Sequence, residues 1–173
     1  MARAYISLGS NLEPERNLLR ALQLLRTRVR LIALSTVYRT PAVGRPEQPD
    51  FFNAVAAIET ALAPRALKYD VLRAIEAELG RVRSADRYAA RTIDLDLLLY
   101  DDLVVAEEGL VLPDPDLVRR PFLALPLLEL APGTVLPGDG RRLREVIGSL
   151  SSEDMHALAD FTARAREEVG HES

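Results

Sequence analysis

Four strand-like segments and two helix-like segments, in the order β-α-β-β-α-β, predict an α+β fold. The expected architecture is a ferredoxin-like core: an antiparallel sheet with both helices on one face and extra helices covering the other, giving α/β/α layers. Three observations carry this. Apolar residues alternate, as in strands, over 3–8, 29–39, 51–60 and 92–100. They recur at helical spacing in two segments that interleave with those strands. A separate apolar stretch, 116–131, is available to cover the sheet's second face.

Taken in order, "RAYISL" (3–8) reads as the first strand and "GSN" as its turn. Pro14 opens a helix in which Leu18, Leu19, Leu22 and Leu25 share one side. "VRLIALSTVYR" (29–39) reads as one strand with an irregular start. "TPAVGRPEQPD" has three prolines and one glycine in eleven residues, which only a loop accommodates. "FFNAVAAIET" (51–60) is the third strand. Pro64 suits the first turn of the second helix, which stops at Gly80. A charged loop, 81–91, enters the fourth strand, 92–100. "DLVRRPFLALPLLELA" (116–131) is helical but bounded or interrupted by Pro121 and Pro126. A charged final helix is expected at about 151–169. No repeat, linker or second domain is visible, so 1–173 reads as one domain.

Composition narrows the function. The net charge of −4 argues against a general nucleic-acid binder. No apolar run reaches the roughly 18–20 residues of a membrane span. The first residues enter a strand at once, so no signal peptide is expected. With no cysteine there is no disulfide, thiol nucleophile or cysteine zinc site, which suits the cytoplasm. The two histidines, His156 and His171, both lie in the C-terminal tail, so a histidine triad or histidine-rich metal site is not expected centrally. Of 22 basic residues only Lys68 is lysine, and Arg81, Arg83, Arg87 and Arg91 fall within eleven positions.

The stretch "RYAARTIDLDLLLY" (87–100) concentrates the chemistry. Alternation puts Ile93, Leu95, Leu97 and Leu99 on the core face and Asp94, Asp96, Leu98 and Tyr100 on the other. Two carboxylates at i and i+2 stand about 7 Å apart at Cα. They repel unless a positive charge sits between them. Mg²⁺ suits that place, because it binds one or two carboxylates plus substrate phosphates at ~2.0–2.1 Å. The plain alternative is a salt-bridged pair at a sheet edge, neutralised by Arg87 and Arg91. Against it, an uncompensated charge among buried aliphatics costs several kcal/mol, and four neighbouring guanidiniums are suited to phosphate oxygens. Carboxylates for a cation beside arginines for an anion suggest a magnesium–polyphosphate site. Neither G-x-x-x-x-G-K-[ST] nor G-x-G-x-x-G is present.

"RYAARTIDLDLL" resembles the signature of the 6-hydroxymethyl-7,8-dihydropterin pyrophosphokinase family. "YISLGSN" (5–11), "STVYRTPAVG" (35–44), "QPDFFNAV" (48–55), "ELGRVR" (78–83) and "PFLALPLLELAP" (121–132) resemble further family blocks in the family's order, covering about 2–150. The resemblance implies an ATP-dependent enzyme of folate synthesis that moves pyrophosphate from ATP onto the pterin's hydroxymethyl oxygen and releases AMP, with two Mg²⁺ ions. It implies Asp94 and Asp96 as metal ligands, Arg81 and Arg91 as holders of the transferring phosphates, and Asp96 or a water on it as proton acceptor. It places Glu76, Arg83, Arg87, Leu97, Asp114 and Arg120, with Arg91, on the ATP side. Thr40, Pro41, Val43, Phe51, Asn53, Tyr88 and Phe122 match the pterin pocket. The partners implied are ATP and the pterin, with no nucleic acid, no membrane, and a monomer or weak dimer.

The chain departs from the pattern in three places. Asp114 stands where the family often has histidine, Tyr88 where tryptophan is common, and Ala42 where proline is frequent. Two other readings compete. An RNA-binding module shares the element order, but the K/R-G-F/Y-G/A-F pattern is missing. A magnesium-dependent phosphohydrolase on Asp94 and Asp96 would need further acidic ligands, with Asp101, Asp102, Glu107 and Glu108 available.

Overall fold

A computed structural model describes residues 1–169; His171 and the rest of 170–173 lie outside them. Its sheet has the predicted core order and is antiparallel at every pairing: β5 (Asp94–Tyr100), β1 (Ala2–Ser10), β4 (Phe51–Thr60), then β3 (Tyr38–Thr40) and β8 (His156–Ala157). β2 (Arg30–Leu34) also pairs with β4, so β2 and β3 occupy successive stretches of the same β4 edge. A hairpin of β6 (Val105–Glu107) and β7 (Leu110–Leu112) stands apart. α1 (Pro14–Arg26) precedes β2. α2 (Pro64–Ala66), a π-helical stretch (Leu67–Leu72) and α3 (Arg73–Glu78) run end to end before β5.

One sheet face is sealed. Ala4, Ile6 and Leu8 of β1, Ala54, Ala56 and Ile58 of β4, and Ile93, Leu95 and Leu97 pack against Leu18, Leu22 and Leu25 of α1 and Leu67, Leu72 and Ile75. The second face is only half covered. α4 (Pro121–Leu130) and α5 (Leu143–Val146) place Ala124, Leu127 and Leu143 over Val55, Leu98 and Leu99. Beyond that lid, the same face presents Gly9, Asn53, Asp94 and Asp96 to cavities. The site exists because the covering helices stop short.

Four local expectations are corrected. The strand predicted over 29–39 breaks at 35–37 into β2 and β3. Ser35 substitutes its hydroxyl for a ladder partner, accepting from Val55 N–H at 2.9 Å. The freed amides of Thr36 and Val37 donate to Glu129 and Thr162, which no local pattern announces. Second, β5 carries a bulge: Tyr5 pairs Leu99 and Ile6 pairs Leu97, leaving Leu98 extra. Leu98 and Leu99 therefore both join the α4 side, and Tyr100 joins the main core, where alternation had Leu99 and Tyr100 reversed. Third, the 116–131 helix is a 3₁₀ turn (Pro115–Val118) followed by α4, divided where Pro121 starts a new first turn. Fourth, the final helix is only α6 (Ala159–Arg166), because β8 adds to β3 first.

Candidate active site

Gly9, at the end of β1, lies between Asn53 of β4 and Asp94 of β5. A Cβ there would stand 2.8 Å from Asn53 Oδ1, so glycine keeps the floor open. Asn53 Nδ2 donates to Thr40 Oγ1 at 2.7 Å, and both residues are buried. Over this floor is a cavity of about 150 Å³. The aromatic rings of Phe51, Tyr88 and Phe122 line it with Pro41, Val43, Thr40 and Asn53. All seven residues expected for the pterin meet in one cavity. Arg87, Arg91, Asp94 and Arg120 also line it. Arg120, expected on the ATP side, thus borders this cavity.

Asp94 and Arg91 also belong to an adjoining cleft of about 330 Å³, together with Asp96, Arg81, Arg83 and Asp116. The buried Glu76 carboxylate and both Asp94 oxygens are already paired. Arg81 Nη1 donates to one Asp94 oxygen at 2.5 Å and Arg91 Nη1 to the other at 3.1 Å. Glu76, only 2% exposed, accepts from Arg73 (3.1 Å), Arg81 (3.2 Å) and Arg83 (2.8 Å). It also accepts from Leu95 N–H at 2.9 Å. β5 is the edge of the sheet, and its outward backbone groups would otherwise lack partners. Side chains supply them: Glu76 takes Leu95 N–H, Arg73 donates to Leu95 C=O at 2.8 Å, and Arg81 donates to Ile93 C=O at 3.2 Å. The peptide groups between and before the two aspartates are held in this way.

The carboxylates therefore differ. At Asp94 burial acts to raise the pKa, but Arg81 and Arg91 outweigh it and hold the group below its ordinary range. At Asp96 burial dominates and Asp94 adds to it, with only Arg73 opposing strongly, so the pKa rises to about 7. Beyond Asp96 lies a groove of about 220 Å³ lined by Leu97, Asp114, Lys68 and Gly109. Burial raises the Asp114 pKa too, although its carboxylate caps the 3₁₀ turn by accepting from Asp116 N–H at 2.9 Å.

Sequence reasoning missed several members. Arg73 joins Glu76 to β5 from a helix whose pattern marks only its apolar side. Asp116 enters the cleft from the 3₁₀ turn. Lys68 and Tyr69 both donate to Gly109 C=O at 2.7 Å, fixing the β6–β7 turn beside the groove. Asn11, 2% exposed, ties the two flanking loops together: it donates to Gln48 Oε1 and Pro49 C=O at 3.2 Å each and accepts from Arg91 N–H at 2.9 Å. "GSN" showed a turn, not this tether.

Among the described residues no cluster of three or more His, Cys, Asp or Glu side chains is placed to hold a metal. Asp101 accepts from Arg3 N–H and Glu107 pairs with Arg65, away from Asp94. No helix among the described residues is long and apolar enough to cross a membrane.

Comparison with known proteins identifies the family and the fold. The family model for 7,8-dihydro-6-hydroxymethylpterin-pyrophosphokinase (HPPK) matches residues 5–132. The chain is 44% identical over 161 residues to a Haemophilus influenzae 2-amino-4-hydroxy-6-hydroxymethyldihydropteridine pyrophosphokinase, covering 91% of this chain and 99% of that one. A Pseudomonas aeruginosa protein of the same name is 41% identical over 159 residues, covering 90% and 96%. Among solved structures, a Plasmodium falciparum HPPK-DHPS triple mutant with pteroate superposes with a TM-score of 0.66 at 13% identity. That match covers 96% of this chain and 44% of the other, so the chain spans under half of it and the likeness is one of fold. The chain belongs to the 7,8-dihydro-6-hydroxymethylpterin-pyrophosphokinase family.

Proposed function

We propose that this chain transfers the β,γ-pyrophosphoryl unit of ATP to the hydroxymethyl oxygen of 6-hydroxymethyl-7,8-dihydropterin, releasing AMP, in folate synthesis. The observation that carries this is the junction of two unlike cavities at Asp94 and Arg91. One suits a flat heterocycle; the other suits a polyphosphate with its counter-cations. The pterin would lie among Phe51, Tyr88 and Phe122, with Asn53 and Thr40 reading its polar edge. Its hydroxymethyl group would then face Asp94 and Arg91.

The donor set fits magnesium. Asp94 and Asp96 are hard oxygen donors, half-exposed on one strand face, with only Gly9 and Ser7 opposite them on β1. Two carboxylates leave the remaining positions to waters and phosphate oxygens, as Mg²⁺ prefers. Two Mg²⁺ bound there would neutralise and orient the triphosphate. The chain's own residues do the rest. Arg81 and Arg91 exchange Asp94 for phosphate oxygens and hold the β- and γ-phosphates in line with the hydroxyl. Arg83, Arg87 and Arg120 add positive charge around the transferring group. Asp96 stands ready for the hydroxyl proton, and Leu97 and Asp114 border the nucleoside's groove. Glu76, on the ATP side, holds Arg73, Arg81, Arg83 and Leu95 N–H in place. The cysteine-free composition supports a cytoplasmic enzyme, and the reading requires no second copy of the chain.

The test is to incubate the protein with ATP, Mg²⁺ and 6-hydroxymethyl-7,8-dihydropterin. AMP and pyrophosphorylated pterin should form in equal amounts. ADP, inorganic phosphate or no turnover would overturn the reading.

A further inference from the structure

Arg73 lies outside the arginine-rich loop yet is the ion-pair partner of Asp96 among the described residues. Its Nη2 stands 3.6 Å from Asp96 Oδ1. Asp96 itself does not fix that place: Nη1 donates to Leu95 C=O at 2.8 Å and to Glu76 Oε2 at 3.1 Å. The guanidinium is thus anchored to the backbone between the two aspartates and to the buried Glu76, and swinging away would break both hydrogen bonds. Three acidic groups, Asp94, Asp114 and Glu76, also act on Asp96. Asp94 is clasped on both oxygens by Arg81 and Arg91. Each carboxylate of the pair therefore already carries a cation supplied by the chain.

We infer that Arg73 is a built-in stand-in cation at Asp96, a positioning residue that keeps the carboxylate pair from taking up divalent ions until a triphosphate arrives. This rests on the metal role proposed above for Asp94 and Asp96. The two aspartates are held differently. Arg81 and Arg91 leave Asp94 when phosphate oxygens compete for them. Arg73 stays, because its anchors are Leu95 and Glu76. A bare divalent ion entering between the aspartates would meet a fixed positive charge behind Asp96 and two guanidiniums on Asp94. A triphosphate removes the second obstacle and screens the first with its own charge. Metal and nucleotide binding are coupled as a result, so the site takes them as a unit.

The experiment follows Mn²⁺ binding to the whole protein by electron paramagnetic resonance, with and without α,β-methylene-ATP. No turnover is involved. Wild-type protein should bind Mn²⁺ weakly alone and far more tightly with the analogue. Arg73→Gln keeps a donor for Leu95 C=O but loses the charge. It should raise nucleotide-free Mn²⁺ affinity about tenfold, within the span typical of coupling between sites. Its gain from the analogue should shrink by the same factor. Arg73→Lys, retaining the charge, should stay near wild type. Unchanged Mn²⁺ affinity in a folded Arg73→Gln protein would overturn the inference. So would tight Mn²⁺ binding by nucleotide-free wild type, a result that requires no variant. A wild-type protein that binds no Mn²⁺ even with the analogue would instead overturn the metal assignment of Asp94 and Asp96.

Discussion

In the cavity proposed for the pterin, the polar wall is already satisfied by neutral groups: Asn53 on Thr40, over a bare Gly9. In the cleft beside it, the charges of Arg73, Arg81, Arg83 and Arg91 are balanced by Glu76, Asp94 and Asp96. The first region can accept a flat ring without rearranging its hydrogen bonds. The second must exchange partners, because its ionic groups serve as one another's counter-ions. A cavity is preorganised by removing atoms, while a charged cleft is preorganised by lending each charge a replaceable partner. Buried charges without partners would cost several kcal/mol each, so an empty cleft of unpaired arginines is not an available ground state.

The largest expected break in this contrast comes from the shared carboxylates. Asp94→Asn and Asp96→Asn should each lower turnover by about 100-fold or more, as loss of charge stabilisation at a reacting phosphate does. Asp94→Asn also releases Arg81 and Arg91, so its nucleotide affinity should change more than that of Asp96→Asn. Steady-state rates with circular dichroism as a folding control check this. Near-normal turnover in both variants would end the metal assignment.

Gly9→Ala attacks the other region alone. Its Cβ would sit 2.8 Å from Asn53 Oδ1, forcing the amide off the cavity floor. Pterin affinity should fall by about 10–100-fold, since displacements near 1 Å carry costs of that order. Nucleotide-analogue affinity should hold. Calorimetry with each ligand separately decides it, and equal losses for both would show that the two regions are not independent.

A smaller effect is expected from pH, in protein stripped of divalent ions. Burial beside Asp94 lifts Asp96 to about 7, from an ordinary carboxyl value near ~4. The folded state then holds its proton more tightly than the unfolded chain does. Its contribution to stability is whole below pH ~4 and is lost as pH rises through about 7. Asp94, held low by its arginines, acts in the opposite direction, with stability lost as pH falls. Thermal melts from pH 4 to 8 should lose part of their downward slope in Asp96→Asn. A slope unchanged by that substitution would contradict the raised Asp96 pKa.

The two regions were not equally legible in the sequence. Thr40, Phe51, Asn53 and Phe122 converge because strand register and the start of α4 bring them together, and periodicity with motif order announces both. The D-x-D spacing likewise places Asp94 and Asp96 on one face. What sequence reasoning missed depends on contacts between distant segments. Arg73 is held in place because β5 is an edge whose Leu95 carbonyl lacks a strand partner. The Leu98 bulge has no local signature in a run of three leucines and a tyrosine. The break at 35–37 is tolerated because Glu129 and Thr162, about a hundred residues away, serve its amides.

The finest distinction concerns what holds the two flanking loops over the first cavity. Arg45 pairs with Asp86 across them, and Gln48 Nε2 donates to Tyr88 C=O at 3.0 Å. Asp86 also accepts from Tyr88 N–H at 3.0 Å, which keeps the ring over Gly44. The Arg45–Asp86 pair is well exposed to solvent, so it is worth about 0–1 kcal/mol, or up to roughly fivefold in a rate. Arg45→Asp or Asp86→Arg should speed pterin dissociation by up to that factor, read by stopped-flow fluorescence. The double exchange, with the charges swapped, should restore the slower rate. Because it bridges loops rather than lining the charged cleft, the exchange should leave nucleotide-analogue affinity unchanged. If the double variant releases pterin as fast as the singles, the pair is an incidental surface contact, and Asn11 and the Gln48–Tyr88 hydrogen bond tie the loops.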